Sequence, residues 1–370
     1  MDNKYIESSQ FDIINSLALI GPYPPPYGGV AIHVERIKPI LEKENINCFV
    51  YNLGHKGVQY TKSSIPQVIN IKYPKLWILW YFISSKENLI HNHYTEWKLA
   101  FILGFMSIIG KKLVITIHSK EFFSKDNWLI KKLIIFALKQ YSLIIVVNND
   151  IKNICLSAGI DKSNIKVIPA FISPIIKQKE IMEINKDVSK FIESHSPIIS
   201  ANAYAIAFTK NQEVYGIDIC IDLCEKIIKN HKNIGFVFLL SKIGDNEYFE
   251  KMQQRIVDKN LEKNFKLIKV TCQFYPILMK SDLFIRPTNT DGDAISVREA
   301  LYLGIPTIAS DVVNRPKGTI LFKNRDVNDL TFKVEHALKD NELNKNKIIK
   351  TNLLDYSKQL VDTYQNLFNK

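Results

Sequence analysis

The sequence is poor in glycine, proline and cysteine, and each shortage excludes a class of protein. Its 370 residues include 14 Gly, 14 Pro and 5 Cys, too few for collagen, a repetitive linker or a disordered chain. The longest uncharged apolar run lies between Lys98 and Lys111 and falls short of the roughly 18 residues that a membrane span needs. With 46% hydrophobic residues, the chain is predicted to be globular, and its length suggests two domains.

The cysteines and the amino-terminal residues both bear on where the protein works. The 5 cysteines are odd in number and their spacing fits no zinc ribbon, which favours a reducing compartment over secretion. Residues 1–10 are polar and include Asp2 and Glu7, so they do not resemble a signal peptide. We expect a cytoplasmic protein, soluble or peripheral on the inner face of the plasma membrane.

The net charge of +12 is concentrated in the first half of the chain. Residues 1–180 carry 22 basic and 13 acidic side chains, against 27 and 24 in the remainder. Two stretches, residues 73–82 and 128–136, mix lysines with large apolar side chains, as interfacial helices do, although core helices with solvated lysines account for them nearly as well. The charge favours contact with an anionic membrane surface. No Lys- and Arg-rich recognition motif is present, so nucleic acid is not an expected partner.

Short runs rich in β-branched residues alternate with longer helical stretches. This alternation predicts the α/β class, with two Rossmann-like, doubly wound domains that face each other across a cleft. The predicted strands are residues 17–20, 48–51, 88–90, 113–117, 143–147 and 166–168, then 198–201, 235–240, 265–270, 282–285 and 307–309. We place an amino-terminal domain at 1–175, a linker at 176–196 and a carboxyl-terminal domain at 197–350. Ligands bind at the carboxyl ends of such strands, so we expect the site in the cleft.

A diglycine follows the first predicted strand and precedes a predicted helix. Gly28 and Gly29 let the backbone approach a ligand closely, and the helix amino end offers free N–H groups to a phosphate or sugar oxygen. A proline-rich surface turn is the alternative interpretation. Residues 22–26 fill the places where the glycines of a dinucleotide fingerprint would fall, which argues against nicotinamide chemistry.

Carboxylates of the second half lie on a predicted loop and on the helix after it. Asp291 is in the loop, Asp293 is predicted at or near the helix N-cap, and Glu299 lies more than a turn inside the helix,. Carboxylates in these places can accept hydrogen bonds from the hydroxyls of one ligand, while the loop N–H groups can bind phosphate or sugar oxygens. A capping aspartate with a surface glutamate is the alternative.

Seven positions separate Asp291 from Glu299, and the segment Arg298-Glu299-Ala300-Leu301 continues through Gly304-Ile305-Pro306 to Ser310. This segment resembles the retaining glycosyltransferases of the GT-B fold, family 4. The resemblance covers most of the chain through weaker motifs: Gly28-Gly29-Val30, His91-Asn92-His93, Thr116-Ile117-His118 and Ile168-Pro169.

The resemblance implies roles for individual residues. Glu299 would bind the donor ribose and Asp291 would touch the donor sugar; aspartate is one methylene shorter than the family's usual glutamate, so Asp293 could share that contact. His118 falls where the family places a histidine near the reacting carbon. The residues implied in donor binding are Glu299, Gly292, Asp293, Ala294, Ile295, Ser296, Arg298, Gly28 and Gly29. Arg298 is equally well explained as a solvated helix charge.

The two cations that the family commonly uses for the departing diphosphate are missing from their usual places. Instead of Gly-Arg and Lys-Gly, this chain has Ser200-Ala-Asn-Ala-Tyr204 and Tyr215-Gly-Ile-Asp218. A leaving diphosphate needs positive charge, and Lys210 is the preferred substitute, counted with His118 and Asp291 as catalytic. The other substitutes are Lys242, Arg286, Arg298 and Arg315. The gap keeps open a non-catalytic partner subunit of a glycan assembly complex, as well as a sugar-nucleotide epimerase of the same fold.

No metal or other cofactor is expected. His91 and His93 have the spacing of two ligands on one strand face, but no third ligand is apparent in the sequence,. Asp291-Gly292-Asp293 is similar to the metal-binding Asp-x-Asp of the other major glycosyltransferase fold. The tandem alternating domains and the downstream Glu299 argue against that fold.

The resemblance implies an enzyme that moves a sugar from a nucleotide-sugar donor to a saccharide or lipid-linked saccharide acceptor. Retention of configuration and a place in bacterial surface polysaccharide biosynthesis are implied with it. The first domain would bind the acceptor and the second the donor, and closure of the cleft would bring Gly28, Gly29 and His118 against the donor. Residues 351–370 would form a helix that crosses back to the first domain.

Overall fold

The computed structural model of the protein describes residues 15–54, 63–94, 96–124, 127–182, 184–269, 272–343 and 355–369. Residues 1–10 and residues 351–354 of the predicted terminal helix lie outside this part of the chain. Within the described part, no helix combines the length and the apolar character needed to cross a bilayer.

The first sheet has seven parallel strands in the order β3-β2-β1-β4-β5-β6-β7. They are β1 (Ser16–Ile20), β2 (Asn47–Asn52), β3 (Val68–Asn70), β4 (Leu89–Asn92), β5 (Lys112–Ile117), β6 (Leu143–Val146) and β7 (Ile165–Val167). All residues of β4 and β6 are buried, as expected for strands covered on both faces.

Five helices connect these strands. They are α1 (Gly29–Lys43), α2 (Pro74–Ser84), α3 (Trp97–Gly104), α4 (Trp128–Leu138) and α5 (Asn149–Ser157). The chain moves one way from β1 to β3 and the other way from β4 to β7, so right-handed crossovers place α1 on one face and α2 to α5 on the other. Two separate buried clusters agree with this, one containing Val34 of α1 and the other Ile78 of α2 and Ile134 of α4.

The second sheet has six parallel strands in the order β12-β11-β8-β13-β14-β15. Its region comprises α6 (Gln178–Met182), α7 (Lys186–Ser194), β8 (Ile198–Ala203), the hairpin β9 (Phe208–Thr209) and β10 (Gln212–Glu213), α8 (Ile217–Ile227), β11 (Gly235–Leu240), α9 (Asn246–Asp258), β12 (Phe265–Lys269), α10 (Tyr275–Leu278), β13 (Leu283–Arg286), α11 (Ile295–Tyr302), β14 (Thr307–Ser310), β15 (Ile320–Phe322) and α12 (Val327–Leu343). The two Rossmann-like α/β domains predicted from the sequence are confirmed.

Two segments connect the domains. Residues 176–196, predicted as a linker, contain α6 and α7, and Val188 and Ile192 of α7 pack in the core of the second domain. The last helix, α13 (Ser357–Phe368), lies on the α1 face of the first sheet. Its Tyr364 is fully buried there, with the hydroxyl 2.6 Å from Nδ1 of His91.

Candidate active site

A cavity that is partly open to solvent lies where the carboxyl ends of the two sheets face each other. Parallel sheets bind ligands at this edge, because the loops there project from a rigid core. The first domain contributes Tyr27, Gly28, Gly29, His118, Ser119 and Ala170, and the second contributes Asn202, Tyr204, Tyr215, Arg286, Asp291, Gly292, Asp293, Ala294, Ile295, Ser296 and Glu299. Most of the residues proposed from the sequence therefore surround one space.

The diglycine loop brings the domains close together. Gly28 is the N-cap of α1, which begins at Gly29. A Cβ atom at Gly28 would lie 2.8 Å from the Tyr204 ring, whereas one at Gly29 would lie 3.8 Å from Ile295. Any larger residue at position 28 would displace Tyr204 or open the cleft, so this loop requires glycine for its close approach.

Asp291 lies at the centre of a buried charge cluster. Its Oδ2 accepts hydrogen bonds from Arg286 Nε at 3.1 Å, from Arg315 Nη1 at 2.9 Å and from the Thr288 hydroxyl at 3.1 Å. Burial would raise the pKa of the Asp291 carboxyl, but the two guanidinium groups outweigh that effect and hold the pKa well below its ordinary value,. Asp291 is therefore ionised and fully engaged by protein groups.

Asp293 and Gly292 join the two domains. Asp293 accepts hydrogen bonds from the Ala170 N–H at 3.0 Å and from Arg298 Nε at 2.6 Å, while burial raises the pKa of its carboxyl. A Cβ atom at Gly292 would lie 2.5 Å from the His118 carbonyl oxygen. Helix α11 begins at Ile295 with Ala294 as its N-cap, and no side chain caps it, so Asp293 acts between domains and not as a cap.

Glu299 is paired with an arginine of the opposite domain. Its carboxylate accepts a hydrogen bond from Arg36 of α1, and both side chains are almost completely buried. Arg36 also donates to the Ile172 carbonyl at 2.9 Å and to Gln273 Oε1 at 3.3 Å. The sequence predicted the position of Glu299 in the helix but gave no signal for Arg36 as its partner.

Three histidines meet at the first-domain side of the cavity. His33, His93 and His118 each place a ring nitrogen within 4.8 Å of the others, an arrangement that could hold a metal ion. His33 donates from Nδ1 to the Ala170 carbonyl oxygen at 2.7 Å, and His93 Nδ1 lies 3.2 Å from His118 Nε2. Burial lowers the pKa of His33 to about 4 and the pKa values of His93 and His118 well below 6.5.

His91 takes no part in this group. Its two ring nitrogens bond the Tyr364 hydroxyl at 2.6 Å and the Thr116 hydroxyl at 2.8 Å. The candidate metal ligands are therefore His33, His93 and His118, and not the pair His91 and His93 considered from the sequence. His33 joins the group because α1 brings it to the ends of the strands. Sequence spacing did not reveal that approach.

Matches to known proteins decide the family. The model of Glycosyltransferase Family 4 matches residues 27–174, and the model of Glycosyl transferases group 1 matches residues 176–352. The chain belongs to the group 1 glycosyltransferases. The resemblance inferred from the sequence motifs is thereby confirmed.

The curated relatives that this group 1 glycosyltransferase matches are bacterial proteins named as sugar transferases. An Escherichia coli protein named UDP-Gal:alpha-D-GlcNAc-diphosphoundecaprenol alpha-1,3-galactosyltransferase is 26% identical over 62% of this chain and 59% of its own length. A Staphylococcus aureus poly(ribitol-phosphate) alpha-N-acetylglucosaminyltransferase is 26% identical over 32% of this chain and 24% of its own. The chain thus matches about three fifths or less of the length of these relatives.

Solved structures establish the GT-B fold of this group 1 glycosyltransferase. Anabaena HepE in complex with UDP-glucose has a TM-score of 0.64 and 15% identity, and the match covers 96% of this chain and 98% of that one. Sucrose-phosphate synthase from Thermosynechococcus elongatus has a TM-score of 0.66 and 15% identity over 96% and 99% of the two chains. The likeness extends over both domains and the cleft between them.

The cations suggested for the diphosphate occupy different places in this glycosyltransferase. Lys210 lies in the turn between β9 and β10, where it is exposed, and it is absent from the described residues that line the cavity. Arg286 lines the cavity, with its guanidinium 5.1 Å from the centre of the Tyr215 ring. Arg298 is bound to Asp293 and lies at a neighbouring pocket with Arg315.

Proposed function

We propose that this glycosyltransferase moves a sugar from a nucleotide sugar to a saccharide or lipid-linked saccharide acceptor, in the assembly of a bacterial surface glycan. The main support is the cavity itself: it has the carboxylate-bearing segment 291–299 on one side and the diglycine loop with His118 on the other. The Escherichia coli relative is named for a diphosphoundecaprenol-linked acceptor. An acceptor of that class is therefore our first choice.

Retention of configuration is part of the proposal. Both curated relatives are named for α linkages, and the E. coli name specifies UDP-Gal, a donor whose sugar is α-linked to the diphosphate. An α product from an α-linked donor is the outcome of retention. The acceptor proton would pass to the departing phosphate, as the family resemblance implies.

On the donor side, Glu299 would bind the ribose hydroxyls. Its pairing with Arg36 fixes the carboxylate in one orientation as a hydrogen-bond acceptor,. The N–H groups of residues 292–296, at the start of α11, would receive sugar and phosphate oxygens. Arg36 thus acts as a positioning residue that reaches the donor domain from the acceptor domain.

Arg286 is our choice for the cation that stabilises the leaving diphosphate. Arg286 lines the cavity. Burial would lower the pKa of its guanidinium, but the Asp291 carboxylate raises it. The group is therefore permanently charged. Asp291 would then act by orienting Arg286 rather than by contacting the sugar alone. Lys210, which the sequence favoured, projects into solvent from the hairpin.

His118 would hydrogen-bond the donor sugar as a neutral ring. Burial keeps the pKa of His118 well below 6.5, so the imidazole is uncharged at neutral pH and can both donate and accept. We propose transfer without a metal ion or other cofactor, since Arg286 supplies positive charge beside the expected diphosphate. The three-histidine group makes this part of the proposal open to a chelation test.

The proposal is tested by assaying transfer with UDP-galactose, UDP-glucose and UDP-N-acetylglucosamine and a diphosphoundecaprenol-linked N-acetylglucosamine acceptor. Formation of an α-linked product by the parent and its loss in Glu299→Gln is the expected result. A β-linked product would overturn retention. Formation of an epimerised nucleotide sugar from the donor alone, without acceptor, would favour the epimerase.

A partner subunit without activity is the second candidate. It is favoured by one observation: both Asp291 and Glu299 are neutralised by arginines within the described chain. A folded protein that yields no product from any donor, and that binds none of them, would support this alternative.

A further inference from the structure

Helix α2 carries an apolar stripe that faces solvent. The stripe consists of Leu76, Leu79, Trp80 and Ile83, which are 69%, 66%, 63% and 89% exposed. Their spacing of three and four residues places them on one side of the helix. The opposite side carries Ile78 and Tyr81, which are buried in the domain core. The helix is therefore apolar on both sides, and its outer side needs a second apolar environment.

Exposed apolar side chains also occur on two further helices of this domain. Helices α2, α3 and α4 follow one another along the same face of the first sheet, and the Phe101 and Phe136 rings of α3 and α4 lie 6.3 Å apart. Phe136 is half exposed, and Ile108, in the turn after α3, is 76% exposed. We call Leu76, Leu79, Trp80, Ile83, Ile108 and Phe136 together the apolar face.

Exposed lysines lie on or beside the helices that carry the apolar face, without ion-pair partners among the described residues. Residues 72–139 contain eleven lysines and four acidic residues. Exposed lysines on or beside the three helices are Lys72, Lys75, Lys98, Lys131 and Lys132. None of these five forms an ion pair with a carboxylate in the described part of the chain, whereas Lys132 lies 4.7 Å from the Trp128 ring centre. Their charge is left available to an anionic partner.

Aromatic side chains mark one end of the same surface. Tyr73, Trp97 and Trp128 lie at the amino-terminal ends of α2, α3 and α4. Each helix follows a strand whose carboxyl end faces the cleft, so the three rings lie toward the cleft edge of the domain. Tyrosine and tryptophan are enriched at the boundary between lipid headgroups and acyl chains.

We propose that the apolar face docks on an anionic lipid bilayer. The apolar side chains would enter the boundary between headgroups and acyl chains, and the lysines would extend their charged ends to the lipid phosphates. A second copy of the chain would bring two sets of lysines against each other, and like charges at an interface are unfavourable. The exposure and charge of this surface carry the proposal, which does not depend on glycosyl transfer.

Flotation of the whole protein with lipid vesicles tests the proposal, with no nucleotide sugar present. The parent is expected to bind vesicles of phosphatidylcholine mixed with phosphatidylglycerol, and to bind phosphatidylcholine alone more weakly. Replacing Leu76, Leu79, Trp80 and Ile83 by serine is expected to weaken the partition by more than about tenfold. Lys131→Glu with Lys132→Glu is expected to remove most of the preference for the anionic lipid and its sensitivity to salt.

Matched control variants lie in the second domain. Phe332 of α12 is as exposed as Trp80, and Lys229 after α8 is exposed, so Phe332→Ser and Lys229→Glu should leave vesicle binding unchanged. Because all substituted positions are exposed, each variant should keep the parent's circular dichroism and thermal transition. Ile83→Ser alone is a milder version of the four-serine variant. An equal loss in Phe332→Ser would overturn the assignment to the apolar face.

Two further results would overturn the proposal. One is a folded parent that does not float with the anionic vesicles. The other is a concentration-dependent dimer, seen by analytical ultracentrifugation, that the four-serine variant abolishes while vesicle binding is absent; a second copy would then cover the face. Failure to bind a nucleotide sugar would count against the proposed function and leave the docking result unaffected.

Discussion

The two domains share an architecture but differ in how their surface charges are arranged. In the second domain, charged side chains pair with each other: Arg255 with Asp222 at 2.7 Å, Lys259 with Glu225 at 2.5 Å and Arg325 with Asp218 at 2.5 Å. In the described part of the first domain, Lys38 and Glu42 form the one ion pair that stays within the domain. Among the residues that the structure describes, the lysines of α2 to α4 have no such partners.

The difference indicates that the two surfaces meet different surroundings. Paired surface charges suit a domain that faces water, whereas lysines beside exposed apolar side chains suit a domain with an anionic partner. The charges that do cross between domains, Arg36 with Glu299 and Asp293 with the Ala170 N–H, lie at the cavity. Segment 291–299 is therefore held in place by contacts from both domains.

The largest expected effect lies in the buried charge cluster of the second domain. Asp291→Asn would leave Arg286 and Arg315 without their shared carboxylate, and a broken buried ion pair costs about 3–5 kcal/mol. Urea unfolding of the parent and of Asp291→Asn measures this loss as a difference in the free energy of unfolding. Asp222→Asn, which breaks a partly exposed pair, should cost no more than about 1 kcal/mol. Equal losses in the two variants would show that burial of the cluster contributes nothing.

The next effect concerns turnover. Arg286→Ala is expected to lower kcat/KM by about a hundredfold or more, because a group that stabilises developing charge is lost. Lys210→Ala should change it by no more than about twofold, since the exposed hairpin lies outside the cavity. Steady-state kinetics with the accepted donor measures both. The opposite ranking would support Lys210, the cation preferred from the sequence.

Acid should weaken the first domain through its buried histidines. The pKa of His33 is about 4 in the folded protein, against 6.5 without burial, so the unfolded state binds more protons between these values and stability falls as pH is lowered from 6.5 to 4. Asp291, with its lowered pKa, loses its stabilising effect only below 3.8.

Urea unfolding of the parent and of His33→Asn across this pH range measures the effect. The variant should flatten the pH dependence, and His336→Asn, at an exposed position of the second domain, should not. An unchanged slope in His33→Asn would contradict the assignment of this dependence to His33.

The smallest expected effect is that of chelation, which should be none. Treatment with EDTA should leave transfer unchanged, because the proposed chemistry uses Arg286 and backbone N–H groups for the diphosphate. The opposite result would be a loss of activity with EDTA, recovery of activity with zinc, and no recovery in His93→Asn. It would show that the three-histidine group binds a metal ion.

The alternation of strands and helices could be predicted from the sequence, because buried parallel strands form continuous apolar runs. Strands β3 and β15 were missed since each is an edge strand of three residues with exposed positions. The segment 291–299 was found because its residues are close in sequence. The pairing of Arg36 with Glu299 joins residues 263 positions apart, and only the packing of the two domains brings them together.

The same reasoning explains the preference for Lys210. The sequence placed it between two motif segments, but the β9–β10 hairpin carries its side chain out of the cleft. Arg286, at the end of β13, was one of several candidate cations for the diphosphate. The sequence alone does not show which residue at the end of a strand lines the cleft. His33 lies in the helix that was predicted after the diglycine, but nothing in the sequence marked it as a neighbour of His93.

Calorimetric titration of the protein with UDP, GDP and ADP tests the central claim most directly, which is that segment 291–299 forms a nucleotide-sugar site closed by the first domain. The account predicts that one diphosphate, UDP as first choice, binds the parent and binds Glu299→Ala at least about tenfold more weakly. Equal binding by parent and variant, or no binding of any of the three to a folded parent, would contradict it.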